Sequence, residues 1–192
     1  SNRRWADPRR GKVVEFNNAL AGDGPMAMER AGGLPTGDLI KLCFSGEYTC
    51  EEALRLVNGR GGAFAYLGLT DARQIQQRID HGDALADLVT RGMAYQISRE
   101  IGSLGPVLRG EVDAILLTGG LGHWEYFVEL IRERVGFLAP LRVFPGENEM
   151  LSLAEGAFRY LSGTEEAQEY DSLPDHPEAR ELLTASRPAA RV

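Results

Sequence analysis

The stretch that most constrains the fold is Val112–Leu117, an apolar run broken only by Asp113, which delivers the chain into Thr118-Gly119-Gly120-Leu121-Gly122. A short, nearly continuous apolar run of this kind suits a buried parallel strand. Behind the glycines, Trp124, Phe127, Val128, Ile131 and Val135 recur on one face of a helix. Leu141–Phe144 reads as a second strand, closed by Pro145-Gly146. A final helix follows, expected to bury Met150, Ala154, Ala157, Phe158 and Leu161. Strand, glycine loop, helix, strand, helix is the βαβ order of an α/β domain, and its crossover is expected to be right-handed. Ligands of such sheets bind beyond the carboxyl ends of the strands. The loop after Leu117 and the turn after Phe144 therefore belong to one candidate site.

Upstream, Lys12–Phe16 reads as a short strand, followed by a loop punctuated by glycine and proline as far as Pro35. Thr36 is expected to cap a helix over Asp38–Phe44. Thr49 with Glu52 spells a capping box for a helix ending at Asn58-Gly59. Thr70 is expected to cap a helix through Asp71, Ile75 and Ile79. A long amphipathic helix then carries Leu85, Leu88, Val89, Met93, Ile97, Ile101 and Leu104 at helical spacing. The glycine pairs Gly32-Gly33, Gly61-Gly62 and Gly119-Gly120 fall between segments, as turns or as places where a ligand approaches the backbone. Residues 1–11 form an arginine-rich leader without apolar period. Residues 163–192 form a polar tail that opens on Glu165, Glu166 and Glu169 and thins into prolines. The expected structured body is 12–162.

Composition removes several classes of function. The 192 residues carry 21 Lys+Arg against 28 Asp+Glu, a net charge of −7, which argues against a general nucleic-acid binder. Cys43 and Cys50, the 2 cysteines, cannot build a disulfide framework or a four-cysteine zinc site. No apolar run approaches a membrane span, and Ser1-Asn2-Arg3-Arg4-Trp5 lacks a signal peptide's hydrophobic stretch. A soluble, cytoplasmic protein is expected.

Four segments could carry chemistry. Thr118–Gly122 lies between a strand and a helix N-terminus, where free N–H groups and the helix dipole favour an anion such as phosphate. No Gly-Lys-Ser/Thr follows, so it is not a P-loop. The Gly120-x-Gly122 step lacks the third glycine of a dinucleotide fingerprint, which leaves a dehydrogenase reading with little support. An idle tight turn fits this loop as well as a nucleotide does. Glu147-Asn148-Glu149 opens the last helix, where acidic residues serve the dipole or hold a hydrated Mg²⁺. Arg30, in the glycine-flanked loop Met28–Gly33, is either solvated or a bidentate clamp for a carboxylate and a phosphoryl group. Asp71 and Arg73 could meet a base or ribose, and capping is the simpler role. His123 beside the glycine loop is expected to be a bystander or a phosphate-facing rim residue, and Cys43 a core residue.

Taken in order, these pieces resemble the C-terminal half of the butyrate kinases, a branch of the acetokinase family of carboxylate kinases. The matching phrases begin with Val13–Leu20, Gly22-Asp-Gly-Pro25, Glu29-Arg30-Ala-Gly-Gly-Leu-Pro35 and Lys41–Gly46. They continue with Ala65–Gly68, Thr70-Asp-Ala-Arg73, Ala94–Ile97, Asp113–Gly120 and Pro145-Gly-Glu-Asn-Glu149. The resemblance runs from about residue 12 to residue 170. It implies a ribonuclease-H-like, actin-like ATPase lobe, a mixed sheet flanked by helices, forming the C-terminal lobe of a two-lobed kinase. It further implies transfer of a phosphoryl group from ATP, with Mg²⁺, to butyrate or a branched short-chain fatty acid, giving ADP and an acyl phosphate. By the same likeness Arg30 is the catalytic arginine and Glu149 the Mg²⁺-associated acid. Gly119, Gly120, Leu121 and Gly122 form the adenosine loop, and Asp71, Ala72 and Arg73 line the adenine pocket. A homodimer is also implied. The family's His-x-Gly-x-Gly phosphate loop and first domain have no counterpart in residues 1–10. The expectation is therefore a truncated or split enzyme completed by a separately encoded N-terminal half. The alternative is a non-catalytic lobe that binds nucleotide or dimerises.

Overall fold

The computed structural model describes residues 4–7, 12–146 and 149–166, with side chains described over 13–146 and 150–166. The chain divides into two compact units, residues 1–147 and 148–192. The first unit opens with β1 (Arg4–Asp7) antiparallel to β2 (Lys12–Phe16), so a strand lies in the leader to which the sequence gives no apolar period. Four shorter helices follow: α1 (Thr36–Cys43), α2 (Cys50–Val57), α3 (Gly62–Leu67) and α4 (Ala72–Asp80). Then come the long α5 (Ala84–Ser103), β3 (Ile115–Gly119), α6 (Glu125–Val135) and β4 (Leu141–Pro145). The second unit contributes α7 (Glu149–Leu161).

The βαβ order is present as expected. β3 and β4 pair in parallel, in register from Ile115 opposite Leu141 to Gly119 opposite Pro145. The core lies between this sheet and helices α4, α5 and α6, where Ile75, Met93, Ile97, Phe127, Ile131 and Val135 are fully buried. Each such side chain contributes about 1.5–3 kcal/mol of transfer free energy. Asp87 of α5 stitches α6 to it by accepting hydrogen bonds from the Tyr126 hydroxyl and from Arg91.

Local chemistry sets the helix ends. At α2, Thr49 and Glu52 form the capping box that the sequence spells. Elsewhere the caps differ from expectation. Thr36 is the first helical residue of α1 behind Pro35, and Asp71, not Thr70, caps α4 by accepting from the Arg73 amide at 2.9 Å. A carboxylate one position on is the stronger acceptor. Between α2 and α4 the chain makes the extra helix α3, which no long period announces.

Burial corrects four further readings. The run in β3 is covered on one face only: Ile115 and Leu117 are buried, while Leu116 is exposed. Leu85 and Leu88 lie outside the covered stripe of α5, which begins at Ala86 and Val89. Cys43 is exposed, because α1 buries no residue. In α7, Met150, Ala154, Ala157, Phe158 and Leu161 are all exposed. Helical spacing fixes which side chains share a face, and burial needs a neighbour to cover it.

Candidate active site

Three walls enclose a cleft of about 1350 Å³. One is the loop Ala27–Arg30 with Asn58 behind it. The second is Thr70–Arg73 with Gln76, at the start of α4. The third is Leu117–Leu121 with His123–Phe127.

The third wall is built by glycine. Gly119 has φ +88° and ψ −177°, a conformation essentially reserved for glycine. Its carbonyl accepts from the Gly146 amide at 3.2 Å, which brings the turn after β4 against the loop after β3. A Cβ placed on Gly119 or Gly120 would meet open space, so a ligand can approach the bare backbone there. Residues 120–123 form a single 3₁₀ turn, and Trp124 caps α6 without a side-chain hydrogen bond. The first-turn N–H groups of α6 are thus left without that cap at the positive end of the helix.

At the second wall the Asp71 carboxylate accepts from the Arg73 amide, from Arg73 Nε at 3.1 Å and from Nη2 at 2.8 Å. The Arg73 guanidinium holds the Asp71 carboxyl below its ordinary value, and Asp71 in turn raises Arg73. Capping, the simpler of the two roles open to this pair, is the geometry found.

At the first wall Arg30 is half-buried. Its Nε and Nη2 both donate to the Pro25 carbonyl, at 3.3 and 3.1 Å. Burial draws the guanidinium below its usual value and Asp23 opposes that shift, yet a guanidinium stays charged at neutral pH. Among the described residues no further hydrogen bond engages its donor fork.

Arg30, Asp71, Ala72, Arg73, Gly119, Gly120 and Leu121 therefore line one cleft, and His123 stands exposed at its edge. Gly122 does not line it. A Cβ there would sit 3.0 Å from Pro145 Cα, so this glycine serves the packing of loop against turn. Glu149 opens α7, and its side chain, like all of Glu147 and Asn148, lies outside the described residues. Among the described residues no group of three His, Cys, Asp or Glu side chains could hold a metal ion.

Two lining residues escaped sequence reasoning. Asn58 bridges backbone to backbone with Arg30, and its Nδ2 donates to the Leu20 carbonyl at 3.4 Å. Gln76 accepts from Trp124 Nε1 at 2.6 Å, tying α4 to the start of α6, and the indole stacks on Phe127. A tryptophan on an apolar helix face needs a partner for its N–H. That signal could have prompted a search for Gln76, whereas nothing local marks Asn58.

Residues 18–144 match the Acetokinase family. Butyrate kinases 2 and 1 of Clostridium acetobutylicum are 46% and 45% identical to this chain over 162 and 160 residues. These alignments cover 84% and 83% of this chain, and 46% and 45% of those enzymes. The chain thus spans about half the length of the curated relatives it matches. The crystal structure of the Entamoeba histolytica acetate kinase superposes with a TM-score of 0.66 at 18% identity, over 79% of this chain and 46% of that one. That likeness shows the fold, the expected α/β architecture of the actin-like ATPases. The ordered phrases of the sequence, the parallel β3–β4 pair and the matched span agree that this chain belongs to the acetokinase family.

Proposed function

We propose that this chain is the nucleotide-binding lobe of a carboxylate kinase of the butyrate-kinase kind. It would work in the cytoplasm, as a homodimer, with an N-terminal half supplied in the same or a separate chain. The reaction is transfer of the γ-phosphoryl group of ATP to butyrate or a branched short-chain acid. A carboxylate oxygen bonds to the γ-phosphorus as the bond to the leaving oxygen of ADP breaks, and no proton need move. The observation that carries this reading is the convergence of the Arg30 loop, the capped start of α4 and the bare Gly119–Gly120 backbone on one cleft in an acetokinase-family chain.

Phosphoryl transfer is governed by positioning and by neutralisation of spread negative charge. The residues present fit a nucleotide: open space over Gly119 and Gly120 admits close approach, and the adjoining α6 N-terminus offers its N–H groups to an anion. The Asp71–Ala72–Arg73 turn forms the opposite side, suited to the base and ribose. Arg30, held by Pro25, supplies a fixed positive charge with donors left for an oxygen of the transferring group. On this reading Glu149 and the nucleotide's phosphates would hold Mg²⁺, which would supply neutralisation of the charge on the transferring group.

The test mixes the chain with a separately produced N-terminal half of a butyrate kinase and follows acyl phosphate trapped by hydroxylamine. Activity is expected from the mixture, and Arg30→Ala is expected to lower it at least a hundredfold, on the order of the loss when one charge-stabilising donor is removed. Full activity of the Arg30→Ala mixture sinks the role assigned to Arg30.

A further inference from the structure

Gly61 and Gly62 stand outside every role assigned so far, yet both are buried and more crowded than the glycines of the nucleotide wall. A Cβ on Gly62 would collide with the carbonyl oxygen of Ala27 and come within 2.6 Å of that of Arg30. Gly62 also has φ +61°, a conformation side chains rarely adopt. A Cβ on Gly61 would collide with the Leu56 carbonyl and lie 2.7 Å from the Ala31 amide nitrogen. The crowding comes from backbone, which cannot rotate aside as a side chain can.

Hydrogen bonds show what presses on these glycines. The Glu29 carbonyl accepts from the amides of Gly59 at 2.8 Å and Gly61 at 3.2 Å. The Ala27 carbonyl accepts from Ala63 at 3.1 Å, and that of Met28 from Phe64 at 2.8 Å. In return the Ala31 amide donates to the Val57 carbonyl at 2.9 Å. Consecutive backbone groups on either side of Arg30 are thus clasped by the stretch from the last residue of α2 into the first turn of α3. The loop is closed on itself as well, since the Ala27 amide donates to the Arg30 carbonyl at 3.0 Å. The guanidinium then reaches back to the Pro25 carbonyl.

We infer that Gly61-Gly62 is the seat of the catalytic-arginine loop: its missing side chains let the Ala27–Ala31 backbone dock, and that docking fixes the guanidinium of Arg30. Gly61 and Gly62 are positioning residues that touch no substrate. What Arg30 does in the cleft rests on the carboxylate-kinase reading, whereas where it is held does not.

The test uses the full chain labelled with ¹⁵N. The Arg30 Nε–H, identified by its loss in Arg30→Lys, is expected as a resolved, exchange-protected resonance. The amides of Ala31, Gly61, Ala63 and Phe64 are expected to exchange at one common rate. Gly62→Ala and Gly61→Ala are expected to erase the Arg30 resonance while the amides of Phe127 and Ile131 keep their shifts. Gly68→Ala is the control: it carries the same backbone strain at φ +67° with nothing for its Cβ to meet, and is expected to leave the resonance in place. An Arg30 resonance that survives unmoved in both folded seat variants overturns the inference. If those variants do not fold, unrelated exchange rates for the four wild-type amides overturn it instead. Calorimetry with Mg-ADP separates the two readings, because a chain with coupled exchange and no nucleotide affinity keeps the seat and defeats the cleft assignment.

Discussion

Two glycine pairs that look alike in the sequence have opposite surroundings. At Gly119-Gly120 an added Cβ would meet nothing within 4 Å, and the pair borders the cleft. At Gly61-Gly62 it would strike backbone oxygens, and the pair is buried. One pair faces open space, as the proposed nucleotide site requires, and the other is bare where another part of the chain lies against it. On the nucleotide reading the difference separates binding from stability: a substitution at Gly120, which has room and no positive φ, changes what the cleft admits, while one in the crowded pair changes whether the Arg30 loop docks.

The largest expected effect is at the crowded pair. Gly62→Ala adds overpacking against fixed carbonyls to a strained left-handed residue, and is expected to cost about 3–5 kcal/mol in urea unfolding. A loss below about 1 kcal/mol would erase the contrast between the pairs. Next comes Gln76→Ala, which strips the partner from a buried indole N–H and is expected to cost about 1–2 kcal/mol. It should also shift the emission of Trp124, read in a Trp5→Phe background because the chain has only 2 tryptophans. Emission unchanged by the substitution would show that the bond does not hold the second wall to the third.

The sequence announced the frame of this contrast and missed its sense. The parallel strand pair, the helix between them and the meeting of loop with turn follow from apolar runs and glycines read locally. The capping box at Thr49 and Glu52 was equally legible, since all its atoms lie within four consecutive residues. What escaped depends on distant neighbours. Gly61-Gly62 resembles any turn until the 27–31 backbone is laid on it, some thirty residues away. Cys43, Leu85 and the apolar face of α7 carry patterns of burial, yet all three are exposed, because periodicity names a face and not its covering. The placement of caps failed for a different reason: neighbouring residues compete, and Asp71 outbids Thr70 with a charged acceptor.

At the open pair the expected structural effect is smaller. Gly120→Ala has room for its methyl and is expected to change stability by less than about 0.5 kcal/mol, as surface changes away from special contacts do. The same methyl stands where phosphate or sugar would approach, so Mg-ADP affinity measured by calorimetry should fall at least tenfold. A stable variant with unaltered affinity would make this glycine an ordinary turn, the reading its sequence left open, and would move the ligand elsewhere in the cleft.

The smallest effect concerns pH at the second wall. Hydrogen bonds from Arg73, first through its side chain and then through its amide, hold the Asp71 carboxyl below its ordinary value when folded. A group depressed in this way contributes its stability above the unfolded pKa and loses it as pH falls through the folded one. Hydrogen exchange at the first turn of α4 should therefore show constant protection from neutral pH down to about 4, and fraying below it. Asp71→Asn keeps an oxygen for the cap but carries no charge to titrate, so its protection should be weaker at neutral pH and level across that range. Fraying in the variant with the same pH dependence as in the parent would assign the effect to another carboxylate. The obvious one to examine is Asp83, which caps α5 and is depressed chiefly by the Ala86 amide and then by Arg78.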